Sequence, residues 1–211
     1  MKGGVDPTDT AGAAALVTAV APRRPVEEVL RAAGFELLGR CERLSQRRVM
    51  MLDCPLLQDF TPDEADVLGR AMLVVRAHPS QVLIAEDDAS DWMLLLLSGT
   101  VDVFKRRVDA EDRSETTRLA VLKAGAVLGE MSMLDGEPRY ASCTALSEVE
   151  MAVLTREAVA ELIREHPAVG AKLLVKITQL LAQRLRNTSN QLLRQLQRGE
   201  RTVTRPGPGT A

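Results

Sequence analysis

A chain of 211 residues with a formal net charge of -2, 45% hydrophobic and 27% charged, can bury a core without disulfides or metal, as one domain with appendages or as two small ones. An aromatic content of 2% argues against a base-stacking nucleic-acid platform, and two histidines, His78 and His166, exclude a three-histidine metal site. Three cysteines (Cys41, Cys54, Cys143), odd in number and without C-x-x-C spacing, read as free thiols of a reducing, cytoplasmic setting.

Residues 1–24, rich in Gly, Pro, Thr and Ala, read as a disordered leader. Within it Ala11 to Ala21 faintly resembles a signal peptide's apolar region, but Asp6 and Asp9 precede it and Pro22 follows, so the leader reading stands. No stretch approaches the roughly 20 apolar residues of a membrane helix. Residues 25–54 read as a helical extension. Pro25 and the Glu27–Glu28 pair open a short helix that Gly34 ends. A second helical pattern is expected around Glu36–Arg48. Thr61-Pro62-Asp63-Glu64 is a helix start, with a capping hydroxyl, proline at the first helical position and acids in the first turn; that helix is expected to run to about Met72.

The hydrophobic period then changes from 3.6 to 2. Short strands are expected over 73–76, 81–84, 93–97, 101–104, 117–122, 126–128, 141–145 and 150–154, separated by turn signals such as His78-Pro79-Ser80 and Asp135-Gly136-Glu137-Pro138. Eight short strands at this spacing predict a mainly β fold with flanking helices, an antiparallel jelly roll over residues 55–166. The run Met93 to Leu97 predicts a strand buried on both faces. From Thr155 the period returns to 3.6. One helix is expected to Ile163 and a long one over 167–198, with Leu173, Ile177, Leu180, Leu181, Leu185, Leu192 and Leu196 on one side. Such a stripe suits pairing with a second copy of itself, a homodimer. Residues 199–211 read as a disordered tail.

The net charge hides a division: +2 over residues 1–50, -11 over 51–171 and +7 over 172–211. The basic bases at the C-terminal end are spread along a helical pattern, so they read as a solvated helix face.

The segment that carries chemistry is Val127 to Ala145. Gly129 allows close backbone approach, and Glu130 can accept from a hydroxyl. Residues 131–134 can form one helical turn with free N–H groups. Arg139, nine positions after Glu130, is a planar cation suited to phosphate, and Ser142 adds a hydroxyl. That set suits a ligand bearing a ribose hydroxyl and a phosphate; by spacing alone it equally suits a structural Glu–Arg pair in a turn.

Leu128-Gly129-Glu130-Met131-Ser132-Met133 followed by Pro138-Arg139-Tyr140-Ala141-Ser142 resembles the phosphate-binding cassette of cyclic nucleotide-binding domains. The upstream Leu95 to Phe104, with its Ser98-Gly99 turn, fits the same family, as does the order helix, roll, two helices, over about residues 55–195. The resemblance implies that Glu130 binds the ribose 2′-hydroxyl and Arg139 the cyclic phosphate. Gly129, Met131, the Ser132 N–H and the Ser142 hydroxyl complete the cassette. Arg184-Leu-Arg-Asn-Thr-Ser189 is similar to the dimerisation helix of the catabolite activator type, which implies Thr188 and Ser189 as readers of the base, one from each subunit, and cAMP as ligand. Read as helix surface, both are solvated polar residues. Tyr140 replaces a small residue at a position that helps separate cAMP from cGMP, and Asp87 stands where the family often has glycine.

After Leu196 there is no room for a helix-turn-helix module of roughly 60–70 residues. The expectation is a stand-alone cAMP (or cGMP) receptor that is not an enzyme and holds no metal. It would signal to an unidentified effector protein, without sequence-specific DNA binding or a membrane. The alternative is a dimeric adaptor that keeps the fold and has lost the ligand. The 105–118 hairpin reads as longer than usual, a partner surface or a solvated loop.

Overall fold

The computed structural model describes residues 25–108 and 114–203. The expected leader, the tip of the long hairpin at 109–113 and the tail from 204 lie outside them. Helix α1 (Val26–Ala32) opens the described chain. The helix expected around 36–48 does not form. Glu36–Arg40 is strand β1, followed by a 3-10 turn (Leu44–Gln46) and helix α2 (Arg48–Asp53). Gly39 explains the difference: its φ of 112° lies outside any helix, and the ladder to the next strand shifts register there. Pairing across the sheet, with Glu36 opposite Arg76, prevails over the helical spacing of the charges.

Helix α3 (Pro62–Arg70) starts as expected. The Glu64 N–H donates to Thr61 Oγ1 at 3.3 Å, and the Thr61 N–H donates to Glu64 Oε2 at 2.8 Å. Then come β2 (Leu73–Ala77), β3 (Val82–Ile84), β4 (Trp92–Ser98), β5 (Thr100–Val108), β6 (Ser114–Lys123) and β7 (Val127–Leu128). A short helix, α4 (Glu130–Asp135), precedes β8 (Ser142–Ala145) and β9 (Val149–Thr155). Asp87 takes a left-handed φ of 69° in the turn between β3 and β4.

The strands form two antiparallel sheets, β1-β2-β9-β4-β7 and β3-β8-β5-β6. With nine strands rather than eight, the fold is the expected jelly roll plus an edge strand. Leu94, Leu96, Val75 and Met151 of the five-stranded sheet pack between the sheets against Leu83, Val101 and Cys143. The alternate residues Met93, Leu95 and Leu97 pack outward against α3 and the C-terminal helices. That sheet is therefore buried on both faces, which is why the 93–97 run carries no polar alternation.

Thr155 caps α5 (Arg156–Glu165) through the Ala158 N–H, and Pro167 opens α6, which reaches Val203 rather than ending at 198. Its first turns are fixed to the roll. Leu173 and Ile177 are buried, Lys172 donates to Glu64 and to the Asp59 carbonyl, and Lys176 pairs with Asp59. Beyond Ala182 the helix is exposed along its length to residue 197.

Candidate functional site

A cavity of about 470 Å³ lies between the four-stranded sheet, α4 and α6. Val103, Leu119 and Leu122 form its apolar wall, the segment Leu128–Ser132 its floor, and α6 its other side. Glu130, the first residue of α4, is 2% exposed. A buried carboxylate needs a partner, and Arg184 of α6 supplies it, with one nitrogen on Glu130 Oε1 and the other on the Val127 carbonyl at 2.6 Å. The far end of α4 is held by Arg156, which donates to the Met133 and Ser132 carbonyls at 2.8 and 3.0 Å.

Arg139 is 2% exposed and borders the cavity with its guanidinium turned into the wall. Nε donates to Ser90 Oγ at 2.9 Å, one terminal nitrogen to the Gly129 carbonyl at 2.8 Å and the other to the Trp92 carbonyl at 2.5 Å. The cation also lies over the Trp92 ring, 4.6 Å from its centroid. Burial lowers its pKa from the ordinary arginine value. These bonds engage all three guanidinium nitrogens, each through one of its N–H groups.

Gly129 makes this arrangement possible. It caps α4 with φ 71°, and any Cβ there would run into the Arg139 guanidinium. Cys143 also borders the cavity; burial pushes its thiol pKa up to about 12, so it stays neutral. Tyr140 stands 59% exposed at the rim. Lys105 Nζ sits 4.1 Å from the centre of its ring and donates to its carbonyl at 2.6 Å. Beside it, Glu86 is held below the usual carboxylate range, first by the Arg106 backbone N–H and then by Lys105.

Of the residues expected at the site, Gly129, Glu130, Met131, Ser132, Arg139, Tyr140 and Thr188 line the cavity together. Ser142 and Ser189 do not. Ser142 Oγ accepts from the Glu86 N–H at 3.0 Å, behind the wall. Ser189 falls on the helix face with Leu185 and Leu192, about 100° round from Thr188. Ser90 and Trp92, which hold Arg139, and Arg184, Asn187 and Gln191, which form the α6 side of the cavity, are site residues to which the cassette motif assigns no role. For the α6 residues the signal was present: positions 177, 180, 184, 187, 188 and 191 continue one helical face past its last buried leucine. No local spacing marks Ser90 or Trp92. Among the described residues no cluster of three His, Cys, Asp or Glu side chains could hold a metal ion.

A profile of the cyclic nucleotide-binding domain matches residues 74–166. The cyclic AMP receptor protein of Thermus thermophilus is 33% identical over 143 residues, 67% of this chain and 62% of that protein. The cAMP-dependent protein kinase regulatory subunit of Aspergillus niger is 33% identical over 122 residues, 56% of this chain and 28% of that one. The chain thus spans about three fifths or less of the length of these curated relatives. The crystal structure of a cyclic nucleotide-binding domain from Methylobacillus flagellatus superimposes with a TM-score of 0.67 at 32% identity, covering 76% of this chain and 89% of that one. With the cassette in place between β7 and β8 and the matching roll around it, the chain belongs to the cyclic nucleotide-binding domain family.

Proposed function

We propose that this chain is a receptor for a cyclic nucleotide, with cAMP the preferred ligand, and that it acts through protein contacts. The observation that carries the reading is the buried Glu130 carboxylate in a cavity of nucleotide size. One of its oxygens is held by Arg184, and a carboxylate has acceptor sites to spare for a ribose 2′-hydroxyl. Arg184 and Arg139 supply positive charge for a cyclic phosphate. The names of the Thermus and Aspergillus relatives point to the same ligand. The net -11 of residues 51–171 repels a nucleic-acid backbone, which favours a protein as the reader of the bound state. The exposed leucines of α6 suit a homodimer, with Ser189 at its seam. No described helix is long and apolar enough to cross a membrane, and three buried free thiols suit the cytoplasm.

A second reading, an adaptor without ligand, is favoured by one observation: Glu130 and Arg139 both already have protein partners. Calorimetric titration with cAMP and cGMP separates the two. The receptor reading expects binding at micromolar concentration or tighter. Glu130→Gln, which keeps the shape and removes the charge, should weaken binding of either nucleotide at least tenfold, because a hydrogen bond to a charged group is worth about 1.5–3 kcal/mol. No heat with either nucleotide would establish the adaptor reading instead.

A further inference from the structure

Ser90 and Trp92, which hold Arg139, also line a second cavity, a groove of about 590 Å³. Pro25 and Val29, at the start of the described chain, form part of its wall, and Asp91 and Glu157 bring negative charge to it. We infer that this groove is the seat of the chain's own N-terminal leader, residues 1–24, with the Arg23-Arg24 pair held by Asp91 and Glu157.

The groove asks its occupant for a hydrogen-bond acceptor, an apolar part and positive charge. The Trp92 side chain is 7% exposed, and its Nε1 is buried with no hydrogen-bond partner. A buried N–H left unmet is costly, and a main-chain carbonyl of an occupant is the acceptor it lacks. Val29, 40% exposed, offers apolar surface. The charged side chains that line the groove, Asp91 and Glu157, are both acidic, and no basic one joins them among the described residues. The leader has the matching properties. It ends in Arg23 and Arg24, and the residue they run into, Pro25, lines the groove itself. The two arginines therefore start one and two Cα steps, of about 3.8 Å each, from its wall. Their planar forks suit carboxylates. Leu16, Val17 and Val20 precede them and can cover the apolar part. The tether also holds the leader at high effective concentration, so it needs little intrinsic affinity. A basic peptide of another protein would bring the same chemistry without that advantage. Seated there, the leader packs on the residue whose ring lies under the Arg139 guanidinium and whose carbonyl accepts from it.

Trp92 is the only tryptophan of the chain, so its fluorescence reports on the groove alone. The test measures acrylamide quenching in the full chain without nucleotide, so its outcome is independent of the receptor reading. It compares wild type with Arg23→Glu/Arg24→Glu, with Asp91→Arg/Glu157→Arg, and with all four substitutions together. Wild type should be quenched weakly, and to the same degree at every protein concentration. Either pair alone sets like charges against each other, which drives the leader off and should raise the quenching constant roughly twofold or more. The four together restore opposite charges and should return quenching to the wild-type value. A constant unaltered by Arg23→Glu/Arg24→Glu would overturn the inference and leave the groove to a partner other than the leader. Failure of the four substitutions to restore it would show that the two pairs do not meet, and would overturn it as well. Wild-type quenching that falls as protein concentration rises would seat the leader of a second copy there and overturn the seat within one chain.

Discussion

Arg139 has a structural role, and the proposed receptor function would give it a second. It is a large, fully buried cation whose donors go to the Gly129 and Trp92 carbonyls and the Ser90 hydroxyl, so it ties the cassette to the start of β4. In the proposed receptor it would also be the group through which a phosphate in the cavity is felt. A phosphate drawing on the guanidinium would shift charge away from those carbonyls and so reach Ser90 and Trp92. The arrangement depends on Gly129. A methyl group there meets the guanidinium, and a non-glycine residue in the left-handed region costs about 1–2 kcal/mol even with space available. Gly129→Ala should therefore destabilise the protein by about 2 kcal/mol or more, read as a lower denaturant midpoint with unchanged slope. A midpoint equal to wild type would mean that Arg139 can move aside freely. The residue types of the cassette were legible from their order in the chain. The partners of Arg139 were not, because the fold, and not the local spacing, brings residues 90 and 92 beside residue 139.

Among the elements, those legible in the sequence were those whose burial repeats with their own period. The inner strands alternate between two apolar layers, and α3 and α5 announce themselves by capping residues. Strand β1 was not legible. It pairs on one side only and is exposed along most of its length, so no alternation marks it, and its charges at 36 and 40 together with Arg43 and Arg47 beyond its end imitate a helix. Capping can be tested directly at α3. Thr61 and Glu64 satisfy each other's backbone N–H groups, and Glu64 also receives Lys172 of α6, which with the Thr61 bonds holds its carboxyl below the usual range. Thr61→Ala removes only the hydroxyl acceptor and should cost about 0.5–2 kcal/mol in chemical denaturation, the usual range for a lost N-cap. A change near zero would show that the Glu64–Lys172 pair and Pro62 define this helix start without the cap.

At the scale of the molecule, α6 joins the candidate site to the candidate dimer. The face bearing Arg184, Thr188 and Gln191 borders the cavity. One residue on, about 100° round the helix, Leu185, Ser189 and Leu192 form another face. Leu185, Leu192 and Leu196 are 68%, 56% and 58% exposed, and Leu185 and Leu192 stand seven residues apart, the spacing at which two helices meet without sliding out of register. A leucine left in water along so much of a helix forgoes the roughly 1.5–3 kcal/mol that burying it would contribute, so self-association is the expected resolution. In a two-fold pair whose α6 helices run parallel along the axis, each Leu192 lies near its own copy, and Leu192→Arg would set like charges against each other. The expected outcome is a wild-type dimer in sedimentation velocity at micromolar concentration and a Leu192→Arg monomer. The far-ultraviolet circular dichroism of the variant should be unaltered, because position 192 touches little within its own chain. A wild-type monomer would remove the dimer altogether, and a dimeric Leu192→Arg would move the interface off α6. Because the two faces share one rigid helix, a nucleotide that orders the Arg184 turn also orders the leucine face. cAMP should then lower the dimer dissociation constant of wild type by the same factor by which dimerisation tightens cAMP binding, as linkage requires.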